Sequence, residues 1–177
     1  MAYLHETLGK LHRDLKTPNI LIHEPKRGRL VAKVADFGLA KATRSLRRTN
    51  APEADATKTE SSDAAMTSFR GSIMWMAPEV LQAEPYDAAA DVYALGIVLW
   101  EVATRRCPYD DAPDLAGVAL AMRVVRDGLR PSIPEEADRG LVGLAKACWA
   151  SDAAARPSAA QALEHLERST PRARRMF

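Results

Sequence analysis

Asp14, Lys16, Asn19 and Asp36 are the residues of this 177-residue sequence with most chemistry to offer. The carboxylate of Asp14 can accept the proton of an attacking hydroxyl and orient it. Two residues on, the ammonium of Lys16 can place positive charge on a transferring phosphoryl group, a reaction that needs positioning and charge compensation more than covalent help. The amide oxygen of Asn19 and the carboxylate of Asp36 are hard ligands of the kind Mg²⁺ takes between phosphates. Alone, each would read as a solvated polar residue. Together the four offer a base, a cation and two hard oxygen ligands, a set suited to handling a phosphoryl group.

Several elements must position them. Leu4, Leu8 and Leu11 recur at helical spacing, and no N-cap signal precedes them, so a helix is expected to begin further upstream. The β-prone runs 20–22 and 30–34, separated by a turn-like segment over 25–28, predict a small hairpin that brings Asn19 and Asp36 to one spot. Residues 40–70 are polar and read as a long loop. Residues 91–104 are apolar nearly all round, which predicts a helix at the centre of its domain. Residues 113–126 predict an amphipathic helix. Leu141, Leu144, Ala145 and Cys148 mark another, and a last helix, with Leu163 and Leu166, is expected to start at Pro157.

Composition sets the frame. Hydrophobic residues make up 47% and charged residues 27%, ordinary for one globular domain, and the net charge of +2 gives no field that would seek nucleic acid or a membrane. Arg44, Arg47 and Arg48, and the arginines from Arg168 to Arg175, read as solvated clusters. Cys107 and Cys148 have neither a CxxC nor a metal-ligand spacing and predict two reduced core thiols. The apolar run 92–100 is too short for a bilayer, and no secretory leader precedes the first motif. The expected location is intracellular, in the cytoplasm. His5, His23 and His165 show no partner spacing and read as surface or helix-edge residues.

The run His12-Arg13-Asp14-Leu15-Lys16-Thr17-Pro18-Asn19, followed by Asp36-Phe37-Gly38, resembles the catalytic loop and metal-binding motif of eukaryotic protein kinases. Ala77-Pro78-Glu79, Asp91 and Cys148-Trp149…Arg156-Pro157 extend the match almost end to end. The resemblance implies an α+β protein-kinase-like fold, C-terminal lobe only, mainly helical with a small β-hairpin at the catalytic loop. The lobe would cover residues 1–168, with a basic tail over 169–177. It implies ATP and Mg²⁺, with Asp14 and Lys16 catalytic, Lys16, Asn19, Leu21 and Asp36 at the nucleotide, and Asn19 and Asp36 on the metal. Leu21 would floor the adenine pocket, and His12 and Phe37 would stack. Asp91 would brace the catalytic-loop backbone, and Arg156 would pair with Glu79. Arg13 would pair with a phosphate on the activation segment, where Thr67 and Ser68 are the preferred sites.

The Asp-Leu-Lys pattern resembles serine/threonine kinases, and the runs 71–79 and 91–101 resemble their tyrosine-kinase-like group, with Ser72 where the family usually carries Thr. Tyrosine or dual specificity is the alternative. Residues 72–75 and the helix from 113 match substrate- and partner-docking surfaces of the family, though nothing in them names a substrate or an oligomeric state. The first motif arrives at residue 12, so the glycine-rich loop, strand lysine and αC glutamate of a complete kinase are not found here. The expectation is a catalytic floor without its nucleotide roof, nearly inactive by itself. A catalytically dead lobe acting as a binding module or decoy is the competing reading, against which the joint presence of Asp14, Lys16, Asn19 and Asp36 weighs.

Overall fold

The computed structural model describes residues 1–38, 41–42 and 72–169. A π-helical turn, Tyr3–Thr7, leads into strand β1, Lys10–Leu11. A 3₁₀ turn, Thr17–Asn19, then opens the antiparallel hairpin of β2, Ile20–Lys26, and β3, Arg29–Val34. Strand β4, Lys41–Ala42, returns to pair with β1. Beyond residue 72 the chain is helical. A 3₁₀ turn, Ile73–Trp75, is followed by α1, Pro78–Leu81, α2, Ala88–Thr104, α3, Val118–Arg126, α4, Arg139–Cys148, and α5, Ala159–Ser169. The expected architecture, a helical lobe with a small hairpin, is what forms.

Helix α2 is the axis of the lobe. Asp87 caps it by accepting the Ala89 N–H at 2.9 Å, which satisfies one of the donors a helix start leaves open. Tyr93, Ile97 and Trp100 are fully buried, as an apolar surface all round predicts, although Val102 near its end faces solvent. The Trp100 indole N–H still finds an acceptor, the Ser132 carbonyl, at 2.7 Å. The helix ends where Arg105 turns left-handed, at φ 58°.

Several boundaries differ from the sequence reading, each for a local reason. The opening helix shrinks to five residues because Gly9 turns left-handed at φ 56°; Leu8 is exposed and Leu11 enters β1. In the hairpin, Pro25 lies inside β2, where the register shifts between His23 and Lys26, a place that tolerates a missing N–H. The turn is therefore only Arg27-Gly28. Helix α3 begins at Val118 rather than 113, after Gly117 at φ 56°. Helix α5 begins at Ala159, not at Pro157, because Ser158 and Gln161 form a reciprocal capping box. Gln161 N–H donates to Ser158 Oγ at 3.1 Å and Ser158 N–H to Gln161 Oε1 at 2.7 Å. Cys107 is exposed instead of buried, whereas Cys148 is fully buried and its thiol is pushed up to about 12 by that burial.

Helices α2 and α4 cross closely because Gly96 has no side chain. A Cβ there would sit 2.9 Å from Cys148 Cβ, 3.0 Å from the Ala145 carbonyl oxygen and 3.0 Å from the Trp149 nitrogen. Two of those neighbours are backbone and cannot swing aside.

A buried ion pair closes the other side of α2. Arg156 donates to both oxygens of Glu79, at 2.6 and 2.9 Å, a bidentate fork. Its remaining N–H groups reach the carbonyls of Ala150, Ala89 and Ser151 at 2.8, 3.0 and 3.3 Å, so all five donors are used. Its guanidinium also lies 5.2 Å from the Tyr93 ring centre.

Two substitutions test this packing. Gly96→Ala is expected to lower the unfolding free energy by about 1–3 kcal/mol, the usual cost of overpacking, in urea titration. Arg156→Met removes one partner and strands the Glu79 carboxylate, so a loss of about 3–5 kcal/mol is expected in the same measurement.

Candidate active site

Asp91, in the first turn of α2 and only 3% exposed, holds the loop that follows β1. Its Oδ2 accepts the His12 backbone N–H at 2.7 Å, and its Oδ1 accepts that of Arg13 at 2.8 Å. His5 Nε2 donates to Oδ2 at 2.8 Å. His5, read from the sequence as a surface or helix-edge residue, lies in the short opening helix and is a part-buried partner of this carboxylate. Arg13 takes φ 73°, a left-handed conformation costly for a residue with a side chain, at about 1–3 kcal/mol. The bond from its N–H to Asp91 helps hold it there.

His12 is fully buried and works from both sides of its ring. Its Nδ1 accepts the Asp14 N–H at 3.3 Å, so Nε2 carries the proton and donates to the Ala35 carbonyl at 3.0 Å. Phe37 meets the same ring edge-on, with centres 5.1 Å apart. His12 thus ties the Asp14 backbone to the segment that carries Asp36.

The reactive set is one connected network. Lys16 Nζ lies 2.7 Å from Asp14 Oδ2 and donates to Ser72 Oγ at 2.8 Å. Asn19 Nδ2 donates to the Asp14 carbonyl at 2.8 Å and to its carboxylate at 3.1 Å. This use of the amide nitrogen leaves Asn19 Oδ1 available. Asn19 also accepts the Ala35 N–H at its carbonyl, at 2.8 Å, just before β2 pairs Ile20 with Val34. The hairpin base therefore sets Asn19 beside the residue preceding Asp36. Asp36 itself is exposed and left-handed at φ 62°, with Oδ1 3.4 Å from the Gly38 N–H. Leu21 lies one residue past Ile20 on β2, more than half exposed, together with Ile22 and Leu30.

Arg13 Nε donates to the Tyr86 hydroxyl at 2.6 Å, and the guanidinium lies 5.7 Å from that ring's centre. Thr67 and Ser68 lie outside the described residues. On the other side of the loop, Glu101 of α2 accepts two side-chain bonds, from Thr17 Oγ1 at 2.9 Å and from the Trp75 indole N–H at 2.8 Å. Burial pushes the Glu101 carboxyl above the usual range, opposed by those two bonds. Neither Tyr86 nor Glu101 carries a role in the sequence reading, and none was given to His5 beyond a surface or helix-edge place. The bonds His5–Asp91, Arg13–Tyr86 and Thr17–Glu101 span 86, 73 and 84 residues, separations that leave no local pattern to read.

Among the described residues no group of three or more His, Cys, Asp and Glu side chains could hold a metal by itself. A site built on Asn19 and Asp36 would need further ligands from elsewhere, which is how Mg²⁺ binds beside phosphates.

Residues 1–166 match the model of the protein kinase domain. The chain is 42% identical to the serine/threonine-protein kinase STY17 of Arabidopsis thaliana, over 94% of this chain and 25% of that protein. It is 39% identical to the mitogen-activated protein kinase kinase kinase dlk-1 of Caenorhabditis briggsae, over 94% of this chain and 17% of that one. With human mitogen-activated protein kinase kinase kinase 7 the identity is 35%, over 97% of this chain and 25% of that protein. The chain spans about a quarter or less of the length of these relatives. With its family model matched over nearly its whole length and its helical lobe built around α2, the chain belongs to the protein kinase domain family.

Proposed function

We propose that this lobe carries the catalytic floor of a serine/threonine protein kinase, which transfers the γ-phosphoryl group of ATP to protein Ser or Thr hydroxyls. The observation that carries this reading is the bonded set Asp14–Lys16–Asn19, joined through the hairpin base to Asp36. Asp14 accepts the proton of the substrate hydroxyl and aims its oxygen at phosphorus. Lys16 has three N–H donors, of which Asp14 and Ser72 engage two, so one remains for a phosphoryl oxygen. Asn19 Oδ1 and the Asp36 carboxylate are the hard oxygens that would hold Mg²⁺, with nucleotide phosphates and water as the other ligands. When bound, the ion supplies charge neutralisation at the phosphate oxygens. Leu21, exposed beside the Asn19 turn, offers an apolar face to the adenine ring. His12 and Phe37 hold the Asp14 and Asp36 segments in register.

Arg13, Thr67 and Ser68 form the regulatory part of the reading. A phosphate on either hydroxyl would pair with the Arg13 guanidinium and order the segment leading to Glu79. Ser169 closes helix α5, and the basic run with Arg172, Arg174 and Arg175 lies outside the described residues. No helix among the described residues is long and apolar enough to cross a membrane.

The exposed apolar residues of the hairpin, Leu21 on one face and Ile22 on the other, favour a second reading, a binding module that covers this apolar surface with a partner. Phosphotransfer measured on the full-length gene product separates the two. Asp14→Asn is expected to lower the rate of transfer to casein by about 10²-fold or more while leaving Mg²⁺-ATP binding by calorimetry within a few-fold, as loss of a general base does. If the unsubstituted protein transfers no phosphate and binds no Mg²⁺-ATP, the binding-module reading replaces it. In the same assay Thr67→Ala together with Ser68→Ala should reduce activity several-fold, and unchanged activity would remove the regulatory assignment.

A further inference from the structure

The hairpin of β2 and β3 carries a charge excess that the reactive residues do not explain. Lys26, Arg27, Arg29 and Lys33 stand there against one carboxylate, Glu24, in a chain whose net charge is only +2. All five residues are exposed. Glu24 is committed to the turn, where its Oε1 accepts the Gly28 N–H at 2.5 Å. Among the described residues none of the four cations has a carboxylate within ion-pair distance. The register sets Lys26 directly opposite Arg29, and like charges so placed weaken a sheet. Arg29 and Lys33 point to one face of β3, about 13 Å apart at ~3.3 Å per residue. Leu30 and Ala32 point to the other.

The two edges of this two-stranded sheet are unequal. Strand β2 is interrupted by Pro25 and by the register shift between His23 and Lys26, both of which discourage a further strand. Strand β3 contains no proline, and among the described residues it pairs with β2 alone. Its cations repel a second copy of the same strand, yet they admit a strand of opposite charge.

We propose that the free edge of β3 is a docking site for an extended, acidic segment of a partner protein. The segment adds as a third strand, with acidic side chains toward Arg29 and Lys33 and apolar ones toward Leu30 and Ala32. Main-chain bonds supply the affinity of such an addition, and alternate side chains its selectivity. Charge complementarity identifies the occupant: carboxylates opposite Arg29 and Lys33 form the ion pairs the hairpin lacks and offset the Lys26–Arg29 repulsion. The alternation of cationic and apolar faces suits a polypeptide better than a nucleic acid, because residues 20–34 include no Phe, Tyr or Trp on which bases would stack. None of Asp14, Lys16, Asn19 and Asp36 takes part, so the site stands apart from the reading of those residues.

Fluorescence anisotropy of a labelled peptide of about ten alternating glutamate and valine residues, titrated with the full-length gene product, tests the site. Saturable binding is expected, weakened about tenfold or more between ~50 and ~500 mM NaCl as screening shortens the reach of exposed charges. A peptide of the same composition with its glutamates in one block should bind at least about fivefold more weakly, since it cannot alternate. Arg29→Glu together with Lys33→Glu should weaken binding about tenfold or more and gain binding of an alternating lysine–valine peptide, which also shows that the variant is folded. The bound acidic peptide should slow amide exchange over 29–34 about tenfold and leave 20–26 within about twofold. Absence of binding, or equal affinity for the alternating and blocked peptides, would overturn the proposal. So would failure of the lysine–valine peptide to bind the doubly reversed variant. Tighter binding of single-stranded DNA, or of phosphatidylserine vesicles, than of the alternating peptide would assign the basic hairpin to those partners instead.

Discussion

The Asp91 carboxylate is the constraint on which the rest of this lobe depends. A buried charge is tolerable only when its oxygens are filled with donors, and Asp91 takes three, from His5 and from the backbones of His12 and Arg13. Two of those donors are main-chain N–H groups of consecutive residues, so the helix dictates the path of the loop rather than the position of one side chain. From that path follow the left-handed turn at Arg13, the ring of His12 pointing at Ala35, and the placing of Asp14 and Lys16 side by side, each partly covered. The reactive loop is in effect bonded to the most buried helix of the molecule.

That dependence explains why the helix packing matters to a site it does not touch. Asp91 is only as well placed as α2, and α2 is held by the close crossing at Gly96 and by the Glu79–Arg156 fork. The fork also draws in the carbonyls of Ala89, Ala150 and Ser151, so the start of α2 is anchored by the same guanidinium that anchors α1. Without such anchoring the loop strain at Arg13 and Asp36, both left-handed, would relax away from the arrangement seen here.

Much of this was legible in the sequence, for identifiable reasons. The reactive residues lie within a short stretch, so their order and spacing survive as a pattern. Helix α2 announces itself by a long apolar run, and the hairpin by two β-prone runs. The helix starts were less legible. Pro157 was a plausible first position, and only the Ser158–Gln161 reciprocity moves the start to Ala159. The five-residue opening turn and the β1–β4 pairing were also missed, because two-residue strands bury too little to leave a periodic trace. The longest silence concerned His5 and Glu101. His5 bonds Asp91 across 86 residues and Glu101 accepts from Thr17 across 84, and nothing next to either residue in the chain marks such a partner.

The β1–β4 ladder has a bearing on how this stretch of chain tolerates changes in length. Lys10 faces Ala42 and Leu11 faces Lys41, so Asp14, Lys16, Asn19 and Asp36 all ride in a single loop clamped at its base. Inside it, the pairing of Ile20 with Val34 clamps a second time, just after Asn19 and just before Ala35. The Arg27-Gly28 tip hangs beyond both clamps. Doubling the length of a flexible loop costs only about 0.6 kcal/mol in closure entropy. Residues added at that tip would lengthen the ribbon without altering the separation of the two segments that meet at its root. The nested clamps make the meeting of Asn19 and Asp36 independent of the number of residues in the hairpin between them.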